Sequence, residues 1–154
     1  MKDFVRVSRV PPAISMFLSV ARIATVCFTD NGAPHCINCF FAFDPDSNCL
    51  IFKSRRGTGH DRFVFEGARV AGTILPDVLK ISSLKGLQFK GETMAEKDVA
   101  EMDLKRTYSR RFPFTKLLPG YCWAVKLHYM KFSDNSKGFG NKTLWLAGTE
   151  EVTH

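Results

Sequence analysis

The sequence predicts a mainly β fold, an antiparallel barrel or sandwich decorated by a few short helices. Three observations predict it. Runs rich in β-branched and aromatic residues recur along the 154-residue chain. Tight turn signals such as Asp30-Asn-Gly-Ala separate them, and helical patterning is confined to short stretches. No strand passes through a G-x-G-x-x-G turn into a helix, and P-loop, H-E-x-x-H and G-x-S-x-G motifs are absent. The usual dinucleotide-binding and hydrolase classes therefore drop out.

The elements follow in order. Pro11 and Pro12 open a helix over Ala13 to Val20, with Ser8 as a candidate cap. Arg22 to Thr29 reads as the first strand. Asn31 and Gly32 tolerate positive φ and turn the chain into a returning strand, His35 to Phe43. Asp44-Pro-Asp-Ser-Asn makes the next turn, and Cys49 to Lys53 is a third strand. The loop Ser54-Arg-Arg-Gly-Thr-Gly-His-Asp leads to a short helix near Asp61 to Glu66. Strands resume at Ala68 to Thr73 and at Leu79 to Gly91. Thr93-Met-Ala-Glu96 reads as a capping box for a helix reaching about Tyr108, with Ala95, Val99 and Met102 facing inward. Arg110-Arg-Phe-Pro ends that helix, Pro119-Gly120 turns the chain, and strands at Tyr121 to Phe132 and Thr143 to Leu146 finish the sheet. No repeat, linker or low-complexity tract interrupts the chain, so residues 1–154 read as one domain.

An apolar fraction of 45% supports a real core. The net charge of +7 favours anionic partners such as nucleic acid, acidic lipid or a phosphorylated ligand. Lys53, Arg55, Arg56 and Arg62 crowd one stretch, interrupted only by Asp61. A second basic run, Lys105 to Lys126, contains no acid and reads as a solvated face. The run Ala13 to Phe28 is cut by Arg22 and is too short to span a membrane. Five cysteines (Cys27, Cys36, Cys39, Cys49 and Cys122) without a secretory start over Met1 to Val10 point to a reducing cytoplasm. Cys36 and Cys39 form a C-x-x-C inside a strand, where residues three apart face opposite ways. They read as packed thiols rather than a zinc or dithiol site.

Lys53-Ser-Arg-Arg-Gly-Thr-Gly-His60 is the chemically richest segment. Gly57 and Gly59 let the backbone turn and approach a ligand closely. Ser54 and Thr58 supply hydroxyls, and the arginine forks match phosphate oxygens. A helix starting near Asp61 would aim free N–H groups back into the loop. These residues suit a phosphate dianion.

The run Ile23-Ala-Thr-Val-Cys-Phe-Thr-Asp-Asn-Gly-Ala-Pro-His, the Phe-Phe-Ala-Phe-Asp strand, Ile51-Phe-Lys-Ser and a following Thr-x-His resemble the pyridoxamine 5′-phosphate oxidase-like split barrels. Leu84-Lys-Gly-Leu-Gln-Phe-Lys-Gly-Glu, Tyr108-Ser-Arg-Arg-Phe-Pro and Lys131-Phe-Ser-Asp-Asn-Ser-Lys-Gly-Phe-Gly-Asn-Lys-Thr-Leu-Trp are similar to a small bacterial subgroup of that superfamily. The likeness spans residues 13–147. It implies an FMN-binding split β-barrel that pairs as a homodimer, with FMN in the cleft between subunits. The phosphate would meet Lys53, Ser54, Thr58 and His60. The flavin ring would lie along Cys36, Ile37 and Asn38, approached by Gly86 or Gln88. The second subunit would contribute Asn135 to Lys142, with Lys142 where the oxidases use an arginine. The implied chemistry is flavin reductase or oxidase-type redox work.

The chain departs from true oxidases in lacking their C-terminal Arg-x-His, since Gly138-Phe-Gly-Asn occupies that neighbourhood. Pyridoxamine 5′-phosphate is therefore not the expected substrate. Two rivals stand beside this reading. One is a haem-binding barrel using His60, His128 or His154, and the other is a cofactor-free nucleic-acid-binding module. Pairing is also expected on composition, because Phe40, Phe41, Phe43, Trp123 and Trp145 offer more apolar surface than one small barrel readily encloses.

Overall fold

The computed structural model describes residues 9–148, so Ser8 and His154 lie outside the described residues. Helix α1 (Pro12–Val20) precedes the hairpin β1 (Ile23–Asp30) and β2 (Ala33–Asp44), then β3 (Cys49–Ser54). After a 3-10 turn at Asp61–Phe63 come β4 (Arg69–Ile74) and β5 (Lys85–Thr93). Helices α2 (Glu96–Glu101) and α3 (Leu104–Arg111) lead to β6 (Tyr121–Asp134) and β7 (Lys142–Leu146). All pairings are antiparallel, in the order β3-β2-β1-β4-β5-β6-β7, and a further β3–β6 pairing closes the sheet. The expected mainly β barrel is the observed fold.

β6 accounts for the split. Its first half pairs with β3 from Ser54↔Tyr121 to Cys49↔Lys126, while its second half pairs with β7 from Tyr129↔Leu146 to Ser133↔Lys142. On its other side it pairs with β5 from Val125 to Asp134, with a register shift between Lys90 and Gly91. Gly91 is required there, because a Cβ would run into the Lys126 carbonyl and the Val125 side chain. On β4, Gly72 faces inward and the Phe89 ring lies directly over its backbone.

Alternation sorts the strands into two faces. Ala24, Val26 and Phe28 of β1 point inward with Phe41, Phe52, Phe89, Trp123 and Trp145, and α1 plugs this core with Ile14, Phe17 and Leu18. A second cluster forms outside the barrel, where Val99, Leu104, Tyr108 and Phe112 of α2 and α3 cover Ala42, Ile51 and Ala124.

Several expectations are corrected. Residues 79–84 are not strand, and β5 begins only at Lys85. Thr93 does not cap a helix: it ends β5, its hydroxyl accepting from the Ala68 amide at 2.9 Å and donating to the Phe65 carbonyl. The helix beyond it is two helices, broken at Asp103 in the left-handed region (φ 51°), and Met102 is exposed. Phe41, Trp123 and Trp145 are enclosed, whereas Phe40 is exposed as expected, and further apolar excess sits on Leu75, Val78, Leu79, Ile81 and Phe139.

The basic run is not purely a solvated face either. Arg111 donates from Nη1 to the Leu18 carbonyl at 2.9 Å and from Nη2 to the Ala21 carbonyl at 2.5 Å, satisfying the open C-terminal end of α1. Its guanidinium also lies 5.4 Å from the Phe41 ring and 5.3 Å from the Phe112 ring. Arg111→Ala is expected to lower stability by on the order of 2 kcal/mol, with Arg111→Lys recovering only part. Urea unfolding checks this: the midpoint falls with an unchanged slope. A midpoint equal to that of the unaltered protein overturns the role.

Candidate functional site

The candidate site begins with the β1–β2 hairpin. Asn31 (φ 47°) and Gly32 (φ 84°) form a two-residue turn, so Asp30↔Ala33 is the hydrogen-bonded pair nearest it. Pairs then alternate, and Pro34, Cys36, Asn38 and Phe40 turn their backbone groups away from β1. β2 meets β3 only from Phe41 onward. The amides of Cys36 and Asn38 therefore face an open sheet edge, beside the loop that leaves β3 at Ser54. Ile37 differs: it is paired with Val26, and its half-buried side chain packs against the barrel core from inside.

The loop is held by its own polar groups. The Ser54 hydroxyl accepts from the buried Trp123 indole N–H at 2.9 Å and lies 2.8 Å from His60 Nε2. Thr58 Oγ1 donates to the Arg55 carbonyl at 3.0 Å and is 3.4 Å from the same histidine nitrogen. Burial lowers the His60 pKa below the ordinary value; Asp61 pulls the other way, and His35 adds to the lowering. The imidazole is thus neutral at neutral pH. Asp61 Oδ2 accepts from the Gly57 amide at 2.7 Å, the largest reason its carboxyl ionises below the usual range. That bond shows directly that the loop's amide takes an anionic oxygen. Gly57 and Gly59 have positive φ, and open space lies where a Cβ would be.

Lys53 is used otherwise than its sequence neighbourhood suggests. Its ammonium donates to the Thr115 carbonyl at 2.7 Å and the Leu118 carbonyl at 2.9 Å, fastening the turn before β6. Arg56 stands 4.3 Å over the Tyr121 ring and pairs with Glu96 at 3.2 Å. Arg55 is exposed at the loop's outer side.

The outer sheet face carries the other candidates in one register row. Asn38, Thr25, Thr73, Gln88 and Lys131 lie opposite one another across β2, β1, β4, β5 and β6. Thr25 Oγ1 donates to Asn38 Oδ1 at 2.7 Å, a partner that reading β2 alone misses. Gln88 is exposed and three strand spacings from Asn38, about 14 Å. Gly86 is covered by Leu75, whose Cδ2 would be 3.5 Å from an added Cβ. Lys142 opens β7 opposite Ser133, twelve positions along β6 from the Tyr121 that pairs with Ser54. At roughly 3.3 Å per residue, about 40 Å of strand separates the two, so one chain does not bring the loop and Lys142 together.

As for the alternative haem ligands, His60 is turned to Ser54, and His128 is exposed on β6. No group of three or more metal-ligating side chains is assembled among the described residues. Cys36 and Cys39 do face opposite sides: Cys39 packs against the core, and burial pushes its thiol up to about 11. No helix among the described residues is long and apolar enough to cross a membrane.

No protein-family model matches the chain. Among solved structures, it is similar to a FAD-binding protein from Mesorhizobium loti, with a TM-score of 0.59 and 12% identity over 81% of this chain and 95% of that one. A FAD-binding protein from Mycobacterium smegmatis gives 0.56 and 16%, covering 83% and 98%. A heme-binding protein from Mycobacterium smegmatis gives 0.67 and 11%, covering 89% of this chain and 59% of that one. These likenesses show the shared barrel fold. In sequence, the chain is 35% identical over 143 residues to the UPF0306 protein YhbP of Escherichia fergusonii, covering 91% of this chain and 97% of the relative. The same protein from Escherichia coli O9:H4 matches with the same identity and coverage. With such identity over nearly the whole of both chains, the protein belongs to the UPF0306 family of YhbP.

Proposed function

We propose that the protein is a flavin-binding oxidoreductase that holds FMN between two copies of the chain. The observation that carries this reading is the juxtaposition of an anion-accepting loop, Ser54 to Asp61, with the open-edge amides of Cys36 and Asn38. A flavin mononucleotide needs a phosphate cradle and, near it, donors for the polar rim of its ring. The Gly57 amide, Thr58, His60 and the exposed guanidinium of Arg55 fit the first need, and the β2 edge fits the second. Similarity to FAD-binding proteins supports a flavin. FMN rather than FAD is the reading favoured by a loop at which the phosphate ends in exposed arginines. When bound, the flavin supplies hydride or single-electron transfer, while these residues bind and orient it.

Haem is the second reading, favoured by the likeness to the heme-binding protein. The absorption spectrum of protein purified without added cofactor separates the two, a flavin envelope for the first and a Soret band for the second.

The phosphate assignment has its own test. Arg55→Ala with Thr58→Ala is expected to weaken FMN binding while leaving riboflavin binding almost unchanged, since only FMN carries the phosphate. Losing charge-assisted bonds costs about 1.5–3 kcal/mol each, a tenfold or larger rise in Kd. Fluorescence titration of both flavins reads the difference, and equal losses overturn the phosphate role.

Pairing is proposed on three grounds. Lys142 is too far from the loop for the two to act together in one chain. Phe139, at the tip of the turn before Lys142, is 98% exposed. Leu79 and Ile81 are exposed as well, large apolar side chains of the kind that a partner surface covers. A twofold pairing would bring the second copy's Lys142 to the ring, where a cation favours the reduced, anionic flavin. Light scattering at micromolar concentration is expected to give twice 17.4 kDa, with Lys142→Ala still dimeric but weaker in flavin binding. A monomer that binds FMN tightly overturns the shared site.

A further inference from the structure

The hairpin register places Cys27 directly opposite Cys36, with 2.8 Å between their sulfurs. This is a non-hydrogen-bonded pair, the kind in which Cα atoms stand about 4.5 Å apart and side chains are closest. That separation lies within the span a disulfide bridges, and a bond length of about 2.05 Å needs the sulfurs to close by less than about 1 Å. Both side chains emerge on the outer face, Cys36 exposed and Cys27 partly covered. The C-x-x-C partner, Cys39, is inside the barrel and takes no part.

Cys27 also lines a cavity of about 490 Å³ with Arg69, Lys90, Glu92 and His128. The cavity wall thus carries more basic groups than acidic ones, which favours a ligand bearing carboxylates.

We propose that Cys27 and Cys36 form a redox-active dithiol whose substrate is a small, carboxylate-bearing disulfide. The inference is independent of the flavin reading, since it needs only the hairpin and the cavity. Cys36, the exposed member, attacks first. Its thiolate bonds to one sulfur of the small disulfide, breaking that S–S bond and releasing one thiolate, which takes up a proton. Cys27 Sγ then attacks Cys36 Sγ, its proton passing to water, and the second small thiolate leaves and is protonated. The dithiol is oxidised by two electrons, and one small disulfide is reduced to two thiols. The order of attack agrees with the Cys27 thiol, which burial and then its bond to Cys36 push up to about 11.

The test uses the full chain and oxidised glutathione. The protein is expected to lose two hydrogens, about 2 Da, with two fewer alkylatable thiols, reversed by dithiothreitol. Cleavage before Asp30 separates the two cysteines in sequence, so the fragments carrying Cys27 and Cys36 stay linked unless reduced. Cys27→Ser is expected to hold glutathione on Cys36 as a persistent mixed disulfide, and Cys36→Ser to leave Cys27 unmodified. Cystamine, a cationic disulfide, is expected to react at least several-fold more slowly than oxidised glutathione at low salt. A stable glutathione adduct on Cys36 of the unaltered protein, linkage of any other cysteine pair, or no loss of thiols overturns the dithiol. Equal rates with the two disulfides overturn the acidic substrate class. Since the linkage map needs no flavin, a colourless protein that still forms the bridge sinks only the flavin reading.

Discussion

Everything in this molecule depends on how one long strand distributes its hydrogen bonds. β6 must satisfy β5 from Val125 onward and, on its other edge, β3 first and β7 afterwards. A straight ribbon cannot do both while the barrel closes, so the strand bends at the shift beside Gly91, where no side chain would fit. Closure removes the free edge of β3 and brings Phe52 and Trp123 into stacked contact at 4.4 Å. That stacking fixes the indole whose N–H reaches Ser54, so the first residue of the candidate loop is oriented from the core.

The site follows from what closure leaves undone. β2 is longer than β3 can cover, and the uncovered amides of Cys36 and Asn38 sit where the loop begins. Within the loop, Asp61 occupies the Gly57 amide, and His60 stays neutral against Ser54. An incoming phosphate would compete with Asp61 for that amide, so affinity would reflect the difference between two anions rather than the whole of a new contact. The arginines at the loop's rim would offset that competition, because their charge is not otherwise matched by Asp61.

The elements bounded by sharp turn chemistry were legible in the sequence: α1 after its prolines, the β1–β2 hairpin at Asn31-Gly32, and β6 after Pro119-Gly120. The misreadings have physical causes. Thr93 and Glu96 have the spacing of a capping box, yet the strand pairing of β5 reaches Thr93 first and claims its hydroxyl for the Ala68 amide and the Phe65 carbonyl. Asp103 breaks a helix through a left-handed backbone that no glycine announces. Leu79 to Leu84 alternates like a strand, but no neighbouring strand extends far enough to pair with it. Of the candidate site, Ser54, Thr58 and His60 were legible as a cluster because they lie within one seven-residue segment. Lys53 was not, since the carbonyls it serves lie more than sixty residues away. Cys27 opposite Cys36 was in principle readable, because a two-residue turn fixes every pair in the hairpin, whereas the C-x-x-C spacing drew attention to the wrong partner.

The closing pair of strands also sets the order in which the chain can fold. β1 and β2 are joined by a two-residue turn and can form within microseconds. β3 and β6, which complete the barrel, are separated by about seventy residues of intervening chain. On a ribosome adding roughly 5–20 residues per second, β3 is finished several seconds before its partner exists. Throughout that interval Cys49, Leu50, Ile51 and Phe52, all fully buried at the end, form an unpaired apolar edge. The nascent protein is therefore most exposed to misassociation in the window between the synthesis of its third and sixth strands.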